Sequence, residues 1–194
     1  MRVYLAGPDV FLPDPLARGA ALKAICARRG LIGVFPLDEL PGPEPAAWAA
    51  LPEWQRIALR NEAHIRGCDA LIANLTPFRG PSADVGTVYE LGFMRALGRP
   101  VIGWSACGVP YAERVRDLAG VAAGADGTWR DAEGLAVEAF GCLDNLMIDG
   151  ALAASGGRCE AVTPPSPQRW HDLSPFARCV ERIALHLRKR DFSA

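Results

Sequence analysis

Four short apolar runs, Val3–Ala6, Leu31–Phe35, Ala70–Leu75 and Pro100–Trp104, alternate with stretches of helical periodicity. Runs of this length, bounded by Gly and Pro, suit strands buried in a sheet rather than helices. Strands that alternate with helices make βαβ units, which means a parallel sheet and right-handed crossovers. The predicted fold class is α/β, with a parallel sheet of about five strands, helices on both faces and strand order 2-1-3-4-5.

The helices are bounded by their own punctuation. Pro15–Arg29 carries Leu16, Ala20, Ile25 and Cys26 at near-helical spacing and stops at Gly30. Glu53–Arg66 stops at Gly67, and a helix from about Gly86 to Leu97 stops at Gly98. Residues 41–52, rich in Pro and Ala, suggest a loop with short helical turns. After Ser105 the pattern weakens. Asp131–Ile148 reads as a helix that contains Gly134 and Gly141, and residues 155–170 read as a surface loop with Glu160–Thr163 a candidate fifth strand. Pro175–Arg190 is an amphipathic helix, with Phe176, Val180, Ile183, Ala184 and Leu187 on one face. Its basic end, Arg188, Lys189 and Arg190, complements the helix dipole.

A chain of 194 residues, 50% hydrophobic, has enough material for one core, so a single domain over 1–194 is expected. The net charge of −1 and the lack of a basic stripe argue against a nucleic-acid partner. No apolar run reaches the roughly 18 residues of a membrane span, and Gly7-Pro8 breaks the N-terminal run too soon for a signal peptide. Six cysteines at 26, 68, 107, 142, 159 and 179 form no Cys-x-x-Cys pair. They read as reduced, buried thiols of a cytoplasmic protein. His64, His171 and His186 lie far apart without metal-ligand spacing, so no metal site is expected.

In open α/β sheets, ligands bind in the crevice at the carboxyl ends of the strands. The segment Asp84-Val85-Gly86-Thr87-Val88-Tyr89-Glu90-Leu91-Gly92 follows the third predicted strand and places two carboxylates there. Thr87 and Glu90 also fit a Thr-x-x-Glu capping box, in which both side chains merely satisfy backbone donors. Asp84 as a second acid, and Gly86 as a point of close backbone approach, favour chemistry on a sugar or another polar small molecule. Tyr4 lies in the first strand, beside the third in the predicted order. It is either an ordinary strand aromatic or a phenol that hydrogen-bonds a catalytic carboxylate and tunes its basicity. Asn61 and Asn145 taken alone are equally compatible with solvated surface.

Together these residues resemble the nucleoside 2-deoxyribosyltransferase family. The resemblance covers about residues 2–150 and leaves 151–194 as a C-terminal extension with a terminal helix. It rests on Tyr4-Leu5-Ala6-Gly7-Pro8, on Cys68-Asp69-Ala70-Leu71-Ile72-Ala73-Asn74-Leu75, on Asp84–Gly92 and on Asn145-Leu146-Met147. It implies a flavodoxin-like fold and the exchange of the base on a 2′-deoxynucleoside. By position, Glu90 matches the family's nucleophile and Tyr4 the tyrosine that orients it. Asp84 matches the aspartate that binds sugar hydroxyls, and Gly7 is grouped with the substrate-binding residues. Asn145 matches an asparagine supplied across a subunit interface, which implies a homodimer or larger homo-oligomer with shared sites. The partners implied are a nucleoside and a nucleobase. No metal or organic cofactor is implied.

One position departs from the family pattern. Many members carry an aspartate eight residues before the residue matching Asp69, where this chain has Asn61. Asparagine forms hydrogen bonds but is no general acid near neutral pH. Glu62 and Asp38 are the candidates to assist the leaving base. Two rival functions remain at this level. One is an N-glycoside hydrolase of nucleosides or nucleoside 5′-monophosphates, with Ser82 and the Arg79-Gly80 loop holding a phosphate. The other is a binding module that holds a nucleoside or nucleotide without turnover, which has no need of a nucleophile at Glu90.

Overall fold

The computed structural model describes residues 1–164 and 168–191, the last four of these as backbone only. Five parallel strands form the sheet: β1 (Arg2–Ala6), β2 (Ile32–Val34), β3 (Ala70–Asn74), β4 (Val101–Ser105) and β7 (Glu160–Ala161). Their order is β2-β1-β3-β4-β7, every pair parallel. The expected flavodoxin-like order is therefore present, with the short segment at 160–161 as the fifth member. Two further strands, β5 (Ala122–Ala123) and β6 (Trp129–Arg130), form a separate antiparallel pair.

Side chains of a strand point alternately to its two faces, and the core divides accordingly. Val3 and Leu5 of β1 and Ala70 and Ile72 of β3 join one cluster. That cluster is closed by α1 (Pro15–Ala27) and α6 (Ser174–Asp191), through Leu22 and Cys26 from the first and Phe176, Cys179, Val180, Ile183 and Leu187 from the second. Tyr4, Ala6, Leu71 and Ala73 face the other way, toward α2 (Glu53–Arg66), α3 (Val85–Ala96) and α5 (Leu146–Ala154), which contribute Ile65, Leu91, Met94, Ile148 and Leu152. Each such apolar side chain, fully buried, contributes about 1.5–3 kcal/mol. This division puts Tyr4 beneath α3. The basic end at 188–190 lies outside the described side chains.

The helix starts follow local chemistry. Asp14 caps α1 by accepting from Ala17 N at 3.0 Å, with Pro15 at its first position. Asp84 caps α3 by accepting from Thr87 N at 2.9 Å. A short 3-10 turn at Ala46–Ala50 sits in the Pro/Ala-rich stretch.

Between β4 and α5 one helix appears without a sequence signal, and one expected helix fails. Tyr111–Ala119 forms a helix, α4, where the sequence pattern looked weak. Residues 131–145 are not helical; the helix begins only at Leu146. Gly134 and Gly141 sit at φ 82° and 73°, left-handed values that a continuing helix cannot hold. Asp131 Oδ1 accepts from the backbone N–H of Glu133 and Leu135, offering a turn in place of the helix. Val137 N then bonds Trp129 O at 2.8 Å, so the segment doubles back along β6.

Candidate active site

The loops at the carboxyl ends of β1 and β3 meet closely. A Cβ on Gly7 would lie 2.6 Å from Asn74 Cβ and 2.7 Å from Asp9 Oδ2, so only glycine lets the two loops approach this far. The buried Asp9 accepts from Asn74 Nδ2 at 2.8 Å and pairs with Arg18 at 3.4 Å, which fixes the first loop on β3.

Glu90 projects from the second turn of α3 toward the sheet. Tyr4, fully buried, donates its phenol hydrogen to Glu90 Oε1 at 2.7 Å. Asn61 Nδ2 of α2 donates to the same oxygen at 3.3 Å. Strand β1 and helices α2 and α3 therefore converge on one carboxylate. The capping-box reading of Thr87 and Glu90 is excluded, because Asp84 occupies the cap and Thr87 gives both its N–H and its Oγ1 hydrogen to Asp84 Oδ2, each at 2.9 Å. Glu90 instead turns inward.

Burial pushes the Glu90 carboxyl up to about 7, against the pull of the Tyr4 hydrogen bond, and the charge of Asp84 pushes it further in the same direction. Burial and the neighbouring Glu90 raise the Tyr4 phenol far above its ordinary value, so it stays protonated and acts as a donor. The arrangement is a nearly dry carboxylate with one oxygen held by two donors. The residue borders a cavity of about 250 Å³ between α2 and α3.

That cavity is lined by Trp54, Ile57, Asn61, Glu62, Tyr89 and Glu90, among others. Trp54, Ile57 and Tyr89 are exposed apolar side chains at its rim. They were not singled out from sequence, although Trp54, Ile57, Asn61 and Ile65 share one face of α2 at helical spacing. Glu62 accepts from Tyr89 Oη at 2.6 Å and shares the cavity with Asn61.

The other sequence candidates lie apart from this cavity. Asp38 borders a separate hollow, and its carboxylate is taken by Lys23 Nζ at 2.6 Å and Phe35 N at 2.9 Å. The Asp38 carbonyl accepts from Nε2 of the buried His64 at 3.0 Å. Ser82 donates its hydroxyl hydrogen to Asp144. Asn145 caps α5 through Met147 N at 3.0 Å and donates to both carboxylate oxygens of Glu138. Asn145 and Ser82 instead line an apolar groove between α3 and α5, together with Val85, Val88 and Met147.

All six cysteines are free thiols, and burial pushes Cys68 up to about 11 and Cys26 up to about 12. Among the described residues no cluster of three or more His, Cys, Asp or Glu side chains is placed to hold a metal ion. Among them, too, no helix is long and apolar enough to cross a membrane.

Residues 3–147 match the nucleoside 2-deoxyribosyltransferase family. The chain is 38% identical over 166 residues to an uncharacterized protein of Schizosaccharomyces pombe, an alignment covering 80% of this chain and 78% of that protein. Among solved structures it is similar to a 2-desoxiribosyltransferase from Leishmania mexicana, at 33% identity and a TM-score of 0.55, covering 76% of this chain and 84% of the other. A conserved protein from Enterococcus faecalis shares the fold, at 19% identity and a TM-score of 0.52, covering 94% and 98% of the two chains. The span of the family match, which takes in Tyr4, Asn61, Asp84, Glu90 and Asn145, together with these likenesses, identifies the chain as a member of the nucleoside 2-deoxyribosyltransferase family.

Proposed function

We propose that the chain transfers the 2-deoxyribosyl group between nucleobases of 2′-deoxynucleosides, through a covalent glycosyl-enzyme on Glu90. The observation that carries this reading is the buried Glu90 carboxylate, with Oε1 held by Tyr4 and Asn61, on a residue that lines the cavity.

In the first half-reaction the ionised Glu90 attacks C1′ of the sugar. The C1′–N bond breaks, and its electron pair leaves on the base, which takes up a proton. In the second, a ring nitrogen of the incoming base attacks C1′ from the face the first base left and gives up its N–H proton to the group that protonated the first base. The ester bond breaks and the carboxylate is restored. Two inversions give net retention, as in retaining glycosidases. Tyr4 orients the carboxylate and draws charge from Oε1. Asn61 contributes a hydrogen bond but no proton, so protonation of the departing base falls to Glu62 or to water. The exposed rings of Trp54 and Tyr89 offer flat surfaces to a base.

Asp84 takes the sugar hydroxyls in this reading. Only its Oδ2 is bonded among the described residues, which leaves Oδ1 for a ligand. The negative charge of Asp84, and the commitment of the Ser82 hydrogen to Asp144, favour a nucleoside over a 5′-phosphorylated substrate. Asn145, outside the Glu90 cavity of its own chain, would serve the site of a neighbouring copy, making a homodimer the smallest active unit.

The test is chromatography of the purified protein with 2′-deoxyinosine, with and without adenine. The expected product is 2′-deoxyadenosine, absent with Glu90→Ala. Hypoxanthine released equally with and without adenine, and no new nucleoside, would make the protein a hydrolase instead.

A further inference from the structure

The loop that ends in Asp84 is held by a buried ion pair that no step of the proposed reaction uses. Asp144, 3% exposed, accepts from the Ser82 hydroxyl and from Asn145 N through Oδ1, and from Ala83 N at 2.9 Å through Oδ2. Its Oδ2 also faces Arg114 Nη2 at 3.4 Å. Arg114, from α4, donates through Nε to Pro81 O at 2.7 Å and through Nη2 to Leu143 O at 2.7 Å. Three consecutive residues, Pro81, Ser82 and Ala83, are thus gripped immediately before Asp84. The same two side chains grip Leu143 and Asn145 immediately before α5.

A buried ion pair is weak evidence for stability, because desolvation offsets most of the attraction. Its bonds are spent here on fixing backbone position. We propose that Asp144 and Arg114 are positioning residues that set the loop Pro81–Ala83 so that Asp84 meets a sugar hydroxyl, and that lock this loop in register with Asn145. The proposal rests on the reading of Asp84 as the sugar ligand. It assigns a role to α4, an element with no residue at the cavity beside Glu90.

The experiment compares 2′-deoxyinosine with its 2′,3′- and 2′,5′-dideoxy analogues in the wild type, Asp84→Asn, Asp144→Asn, Arg114→Gln and Arg114→Lys. Asp84→Asn identifies the hydroxyl that matters, by the analogue whose disadvantage disappears. Asp144→Asn and Arg114→Gln are expected to lower kcat/KM for 2′-deoxyinosine about tenfold, while leaving that one analogue within about twofold of the wild type. Arg114→Lys should recover part of the loss. Adding Asp144→Asn to Asp84→Asn should cost little more, since residues acting as a unit are not additive. Proportional loss on all three substrates, or no loss, overturns the proposal. Hydrogen exchange at the Ala83 amide supplies a readout independent of turnover: Asp144→Asn should speed it while β4 stays protected. Unchanged exchange at Ala83 overturns the proposal whatever the activity. A wild type inert toward every nucleoside, with faster Ala83 exchange in the variant, sinks the functional reading and leaves the held loop standing.

Discussion

At the scale of single residues, the site is built around a carboxylate kept away from water. A Glu90 carboxyl pushed up to about 7 by burial is half ionised near neutral pH in the empty site. In the proposed reaction the ionised form attacks, so kcat/KM is expected to rise about tenfold per pH unit below 7 and to level above it. A flat profile from pH 5 to 8 would remove Glu90 from that role. The same shift acts on folding, with a definite sign. The folded-state value lies above the ordinary carboxyl value of 4.5, so the folded chain binds this proton more tightly than the unfolded chain. The resulting stability is present below pH 4.5 and is lost as the pH rises through 7, a loss of about 3 kcal/mol. Glu90→Gln removes the penalty. It should therefore melt higher than the wild type at pH 8, with the gap closing at pH 5. Equal gaps at both pH values would mean that the carboxyl is not strained by burial. Only part of this was legible in the sequence. Tyr4 and Glu90 are 86 positions apart and meet because strand parity points Tyr4 at α3. The resemblance paired them, whereas β propensity alone left Tyr4 an ordinary strand residue. The capping motif at Thr87 was misleading because Asp84, three residues earlier, is itself a strong cap and took the position.

At the scale of elements, the strands and the helices flanking β1 to β4 were readable because each has a clear apolar run and a Gly or Pro at its end. The 131–148 region was not, since its apolar spacing imitates a helix while its glycines and the Asp131 turn decide otherwise. Helix α4 is amphipathic but short, and Arg114 anchors it to the Pro81 and Leu143 carbonyls and to Asp144, partners about 30 positions away and invisible to any local pattern. The terminal helix α6 lies beyond the stretch matched to the family, yet it closes the core on one face of the sheet. Phe176, 1% exposed and edge-on to Trp104 at 6.1 Å, is the clearest case. Phe176→Ala is expected to cost about 3–5 kcal/mol in denaturant unfolding, as large-to-small changes in a packed core do. A loss below about 0.5 kcal/mol would mean that Phe176 does not hold α6 to the core, since surface substitutions stay in that range.

At the scale of the whole molecule, the candidate catalytic groups do not all converge within one chain. Glu90, Tyr4 and Asn61 form one cluster, while Asn145 lies in the groove between α3 and α5. If Asn145 serves a neighbouring copy, the variants Glu90→Ala and Asn145→Ala should each be inactive alone. Mixed and reassembled, they should regain about 25% of wild-type activity, because half the dimers are mixed and each of these has one intact site. No recovery on subunit exchange, with dimers present by sedimentation, would confine the site to a single chain. The sheet bears on how copies of this chain can meet at all. Its two outer strands, β2 and β7, are three and two residues long. An edge so short gives a neighbouring chain almost no row of free N–H and C=O groups to extend. Assembly by strand addition, the route to fibrils as well as to continuous sheets, is closed at both ends. As far as this sheet is concerned, association is left to surfaces where side chains rather than backbone choose the partner.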